Sequence, residues 1–184
     1  VAVLMFFGLT INAEAKEIRV GYLVADQLHF PAIMVMKERN MLEKEGYTVK
    51  WSEFLAGSYV MQEMASGSLD FVSCGAVPIS ISHAQGVKIN ILASGNQEGS
   101  ALVVGRDVNS IKDLEGKKIG TPGTGSIQDA MVAQLLKDNN VNARRMSMKV
   151  SDMPLFLDKG EISAFVAWQP HCARAVANNF GKIL

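Results

Sequence analysis

Gly116-Lys-Lys-Ile-Gly120-Thr-Pro-Gly-Thr-Gly-Ser126, continuing through Ile127 to Asp138, is the stretch that decides the fold of this chain. Lys118 to Gly120 reads as a short strand. Gly120, Pro122, Gly123 and Gly125 deny regular structure to the loop between Gly120 and Ser126. Thr124 or Ser126 then stands where a helix N-cap belongs, and Ile127, Met131, Val132, Leu135 and Leu136 recur at helical spacing as one apolar face. Such a loop ends where the first backbone N–H groups of a helix lack intrahelical acceptors and the helix dipole is positive. The turn therefore suits an anionic or carbonyl group of a ligand, and the same residues also fit a capped helix after a tight turn with no ligand. Two nucleotide readings fail. A Walker loop needs Gly-Lys-Ser/Thr at its end, where this loop has no lysine, and Gly123-Thr-Gly125 continues as Ser-Ile-Gln instead of completing Gly-x-Gly-x-x-Gly.

The same rhythm of strand, loop and helix runs outward in both directions. Upstream, Ile18 to Val24 reads as a strand, and Pro31 opens a helix to about Glu45 with Met34, Val35, Met41 and Leu42 as its inner stripe. Tyr47 to Phe54 is a second strand, and Gly57-Ser58 starts a helix through Ala65. Leu69 to Cys74 is a strand apolar enough to be buried on both faces, Ile79 to Ala84 a short helix, and Lys88 to Ala93 a fourth strand. Ser94 to Ser100 is polar, holds two glycines and breaks the rhythm. Downstream of the opening stretch come a strand near Met146 to Val150, a helix Met153 to Lys159, a strand Ile162 to Trp168 and a helix His171 to Asn178. This pattern predicts an α/β fold of two lobes, 16–98 and 99–184, each a mostly parallel sheet flanked by helices.

Composition narrows the function. The chain has 184 residues, 48% hydrophobic and 20% charged, enough for a sizeable core. Lysine plus arginine equals aspartate plus glutamate at 18 each, with no basic cluster, which excludes a nucleic-acid footprint. Val1 to Ile11 is almost wholly apolar and Ala13-Glu-Ala15 has small-x-small form, so residues 1–15 read as the remnant of a signal peptide, too short to span a bilayer. Cys74 and Cys172 lie far apart in apolar settings and read as free thiols, with a disulfide as the alternative in an exported protein. His29, His83 and His171 lack ligand spacing, so no metal is expected. No catalytic trio stands out: Ser126 lacks the second flanking glycine of a nucleophile elbow.

In open parallel sheets, ligands lie beyond the carboxyl ends of the strands. That rule selects His29 and Phe30 after the first strand, Gly57 and Ser58 after the second, and Gly75 and Ala76 after the third. It adds Glu98 in the crossing, the Thr124, Gly125 and Ser126 turn, and Trp168 at the end of a late strand. A carboxylate at Glu98 would favour an amine on the ligand, and the Thr124 turn an acceptor-rich end. The competing readings are a plain loop histidine at His29, a solvated hinge charge at Glu98 and a core indole at Trp168.

Several segments together resemble a family. They are Gly21-Tyr22 through Lys37 to Glu45-Gly46; Met64-Ala-Ser-Gly-Ser-Leu-Asp70; Ile111-Lys-Asp-Leu-Glu-Gly-Lys-Lys-Ile-Gly120; the Gly-Thr-Gly-Ser helix start; and Phe156 to Trp168-Gln-Pro170. They are similar to periplasmic solute-binding proteins of ABC importers of the nitrate/sulfonate/taurine type. The resemblance implies a monomer that clamps a small anionic or zwitterionic solute between its lobes and hands it to a membrane permease, with no enzyme activity and no cofactor. Ser163 departs from the aspartate usual there, and Leu184 falls short of where such proteins end, so the resemblance also implies a fragment whose C-terminal part is missing. Two alternatives remain: a thiamine-pyrimidine-precursor binding protein or synthase-like enzyme of the same fold, and the sensor domain of a cytosolic regulator.

Overall fold

The computed structural model describes residues 16–24, 31–95 and 99–184. The leader expected at 1–15 lies outside the described residues, as do His29, Phe30 and Glu98. Two sheets organise the chain. In the first, β1 (Glu17–Leu23) is central and pairs in parallel with β2 (Thr48–Phe54) on one side and β3 (Phe71–Ser73) on the other, with Val20 opposite both Trp51 and Phe71. Helix α3 (Gly57–Ala65) packs on this sheet through Val60 and Met61, which join Leu23 and Leu69 in a small core. Gly21 makes this approach possible: a Cβ there would fall 2.6 Å from Val60 Cγ2 and 2.7 Å from Leu69 Cδ1. Helix α4 (Ala76–Ala84) follows β3 directly.

Four expectations for this half are corrected. The single helix to Glu45 is instead α1 (Pro31–Glu38) and α2 (Met41–Lys44), separated where Asn40 takes φ 48° and ψ 48°. Asparagine is among the few residues that visit this left-handed region readily. The inner stripe does not form either, since neither helix has a buried residue. Polar contacts tie α1 to the sheet: Lys37 Nζ donates to the Tyr22 oxygen at 2.5 Å, Tyr22 Oη donates to Glu53 Oε1 at 2.5 Å, and Lys37 lies 3.5 Å from that carboxylate. The strand expected at Leu69 to Cys74 shrinks to three residues and exposes Phe71, because β3 is an edge paired on one side only. Lys88 to Ala93 forms no strand, and Ile91 and Leu92 are 69% and 76% exposed. Its alternation has the right period, but a strand also needs a ladder partner, and none lies beside it among the described residues.

The second sheet has the order β6-β5-β7-β4-β8. Strand β5 (Lys118–Thr121) runs parallel to β6 (Arg144–Ser147) and to β7 (Ala164–Trp168), which is buried throughout. Strand β4 (Ser100–Val104) is antiparallel to both β7 and the short β8 (Lys182–Ile183). Alternation along β7 sends Phe165 and Ala167 into one core and Ala164 and Val166 into another. The first is covered by α6 (Met153–Asp158) and α7 (His171–Ala177), the second by α5 (Ile127–Asn139). One turn of 3₁₀ helix at Ile111–Leu114 leads into β5; Asp113 Oδ2 accepts from the Asn109 and Ser110 amides at 2.8 and 2.9 Å, and Leu114 is fully buried beneath it. The expected apolar face of α5 is corrected: the buried residues are Gln128, Asp129, Val132 and Leu136, while Met131 is exposed. Polar ties turn the first turn inward, Gln128 Nε2 donating to Ser100 Oγ at 2.7 Å and Arg145 pairing with Asp129 at 2.7 Å.

Cys74 and Cys172 are both free thiols. Burial pushes Cys74 up to about 12 and shifts Cys172 in the same direction, so neither is an ionised nucleophile near neutrality. Among the described residues, no helix is long and apolar enough to cross a membrane.

Arg19 and Asp70 fasten β1 to the turn before β3. The guanidinium donates to Asp70 Oδ1 at 2.8 Å and to Oδ2 at 3.0 Å, and the Arg19 amide donates to Oδ2 at 2.8 Å. These bonds hold the Asp70 carboxyl at about 2, below its ordinary 3.8. A lowered folded pKa gives stability that is complete above the unfolded value and is lost as pH falls towards the folded one. Asp70→Asn should therefore lower Tm slightly at neutral pH, as expected for a half-exposed pair. It should also flatten the fall of Tm between about pH 4 and pH 2. Thermal melts of both proteins across that range check this, and identical slopes would rule it out.

Candidate functional site

The amino ends of three helices gather where the two sheets meet. Helix α3 follows β2 through Leu55-Ala56, α4 follows β3 through Cys74-Gly75, and α5 follows β5 through the Pro122–Ser126 turn. Their proximity can be read from the glycines. A Cβ at Gly123 would lie 3.6 Å from both Ala56 Cβ and Ser58 Oγ, and one at Gly125 would lie 3.8 Å from Ile81 Cδ1 and 4.0 Å from Ser58 Cβ. A Cβ at Gly75 would collide with Ile127 Cδ1 at 2.2 Å. Gly57, Ser58, Gly75, Gly125 and Ser126, expected at a site from the sequence, are thus brought together. Ala76 and Thr124 sit at the exposed margin of the same region.

The three helix ends differ chemically. Ala56 and Gly75 stand at the N-caps of α3 and α4 and offer no side-chain acceptor, so the first amides of both helices have no side-chain cap. Neither helix has an acid in its first turn. The Ser58 Oγ is buried and finds no hydrogen-bond partner among the described residues, and the same holds for Thr121 Oγ1 at the end of β5. Buried hydroxyls are normally satisfied, which makes Ser58 Oγ, beside the Gly123 and Gly125 turn, a candidate donor to a bound group.

Helix α5 is different. Ser126, at its N-cap, accepts from the Asp129 amide at 3.1 Å, and the Ser126 amide donates to Gly123 O at 3.1 Å. The Gly125 amide donates to Asp129 Oδ2 at 3.0 Å, with Gly125 at φ 78°, a conformation that costs glycine little. The turn read from sequence as offering free amides therefore uses those of Gly125, Ser126 and Asp129 internally. Trp168 is 3% exposed in the core of the second sheet, edge-on to the His171 ring with centroids 6.3 Å apart. It packs as a core residue and leaves little surface for a ligand.

Sequence reasoning missed Asp129, Arg145 and Ile81. Asp129 was within reach, since Ser126-x-x-Asp129 has the spacing of a capping box. The others depend on packing between elements distant in sequence. Two concavities of about 220 and 240 Å³ lie elsewhere. The first is an apolar trough along Leu102, Met131 and Leu135, and the second a polar dent at Gly116 to Lys118, by the amino end of β5. Neither lies at the carboxyl end of a parallel strand.

Two such sheets, with helix amino ends facing one another at the strand ends, form the fold of the periplasmic binding proteins. It matches the alkanesulfonate-binding protein SsuA from Xanthomonas axonopodis pv. citri bound to MOPS, with TM-score 0.75 and 19% identity over 94% of this chain and 61% of that one. It also matches the periplasmic nitrate-binding protein NrtA from Synechocystis, with TM-score 0.67 and 16% identity over 92% and 51%. Within that fold, the chain belongs to the NMT1-like family, whose model matches residues 12–184. The taurine-binding periplasmic protein of Escherichia coli is 25% identical over 181 residues, 96% of this chain and 55% of that protein. The chain thus spans about half the length of this curated relative.

Proposed function

We propose that this chain belongs to the extracytoplasmic solute-binding component of an ABC importer. It takes a small anionic or zwitterionic solute of the nitrate, sulfonate or taurine class between two lobes, 16–98 and 99–184, and delivers it to the membrane permease as a monomer. It acts by binding and release, without catalysis. The observation that carries this reading is the pair of uncapped helix ends, α3 and α4, beside the buried, unpartnered Ser58 hydroxyl. Amides and a hydroxyl converging at positive dipole ends offer donors and no acceptor charge, which suits an oxyanion or sulfonate oxygen. His29, Phe30 and Glu98, after β1 and in the crossing, are proposed to complete the enclosure.

Taurine, ethanesulfonate and nitrate, each added to the full-length protein well above its Kd, test this by thermal shift and calorimetry. Ligand at about 100 times Kd stabilises the native state by about 2.7 kcal/mol, a rise of roughly 5–10 °C for a domain of this size. No shift and no heat with any of the three would overturn the reading. Response to a thiamine-pyrimidine precursor alone would favour the alternative of the same fold.

A further inference from the structure

Granted the binding function proposed above, we infer that Asp129 and Arg145 determine specificity by setting the charge that α5 presents to the ligand. Asp129 is the third residue of α5 and is 6% exposed. One carboxylate oxygen accepts from the Gly125 amide at 3.0 Å, and the other lies 2.7 Å from Arg145 Nη1. Arg145 also donates to the Asp129 carbonyl at 3.3 Å, from strand β6 at the edge of the second sheet. Each carboxylate oxygen therefore already holds one donor within the protein.

The consequence is electrostatic. A helix end carries the equivalent of roughly half a positive charge. At α5 a full negative charge sits against that end and a full positive charge sits against the carboxylate. The first turns of α3 and α4 hold no acid. The net charge is similar at all three ends, but at α5 the carboxylate is bonded to the turn itself through the Gly125 amide while Arg145 stands on its other oxygen, so the nearer charge there is negative. The anionic pole of a ligand is therefore drawn to α3 and α4, around Ser58, and the α5 turn receives the uncharged or cationic end. The pair also makes the site adjustable, because losing either partner leaves the other uncompensated within a few ångströms of the Gly125-Ser126 turn.

Two substitutions separate this from a purely structural role. Asp129→Asn keeps an acceptor for the Gly125 amide and leaves Arg145 unbalanced, so ethanesulfonate should bind about tenfold more tightly. Arg145→Gln leaves Asp129 unbalanced, and ethanesulfonate should bind about tenfold more weakly. Taurine, a zwitterion, should move less in both, so the ratio of the two affinities changes in opposite directions. Both effects should shrink with added salt. Calorimetry on wild type and both variants, each with a melting curve, reads the ratio independently of stability. A ratio unchanged in both, or shifted the same way in both, would overturn the inference while leaving the binding function intact. Wild type binding neither compound would overturn the binding function itself, and the inference with it. Arg145 is exposed at a sheet edge, so the Gln variant gives a reading even if the Asp129 variant fails to fold.

Discussion

Gly75→Val leaves the chain folded and weakens ligand binding by about 100-fold or more. Gly75 has φ −70° and ψ 156°, an extended backbone open to any residue, so the effect is purely steric. Its missing Cβ would lie 2.2 Å from Ile127 Cδ1 and 2.8 Å from Cγ1. An alanine could be met by swinging the isoleucine tip, whereas the two further methyl groups of valine follow that tip wherever it goes. Gly75 joins β3 to α4 beside the first sheet, and Ile127 is the first residue of α5 on the second. The wedge therefore opens the region where the three helix ends meet, and a displacement of about 1 Å there suffices for a loss of this size. None of the hydrophobic cores includes Gly75 or Ile127, so Tm should stay within a few degrees of wild type. Calorimetry with a sulfonate and a melting curve on the same sample decide it. Affinity within threefold of wild type would remove this junction from the binding site.

Gly181→Ala should cost about 3 kcal/mol or more of folding stability. Here the obstacle is main chain. A Cβ at Gly181 would lie 2.3 Å from the Val104 carbonyl oxygen and 3.1 Å from its carbon, with Leu157 Cδ2 at 2.7 Å. Val104 is fully buried in β4 and cannot yield without disturbing its ladders to β7 and β8. At about 2–4 °C per kcal/mol, Tm should fall by roughly 6–12 °C. Urea unfolding gives the midpoint directly, and a change below about 1 kcal/mol would show that the turn into β8 relaxes around the methyl group.

The second sheet was more legible in the sequence than the first because its signals are local. Gly125 before a serine cap fixes the start of α5 within the residues that form it, and the buried run at Ala164 to Trp168 needs no partner to be recognised as a central strand. Strand β8 and the reversed direction of β4 depend on pairings across some 60 to 80 residues that no local pattern carries. The break at Asn40 is also local in cause, but the apolar spacing around it masked the signal. Lys88 to Ala93 shows the converse case, a strand-like pattern without a ladder partner among the described residues. At the candidate site, the loops could be chosen by rule, since strand ends are where ligands lie. Which of their amides are free was missed, although the Ser126-x-x-Asp129 spacing points to the carboxylate in the first turn of α5 that folds back onto the loop.

The reversed strand β4 has a mechanical side. The chain enters the second sheet at Ser100 and is at once gripped along its length by β7, with β8 adding a second grip at Val103 and Val104. A tug on the backbone upstream of Ser100, directed along the strand, stretches those rungs simultaneously instead of peeling them one by one. A pull transmitted along the chain into β4 is therefore shared among its pairings from Ser100 to Val104 instead of concentrated on the first of them.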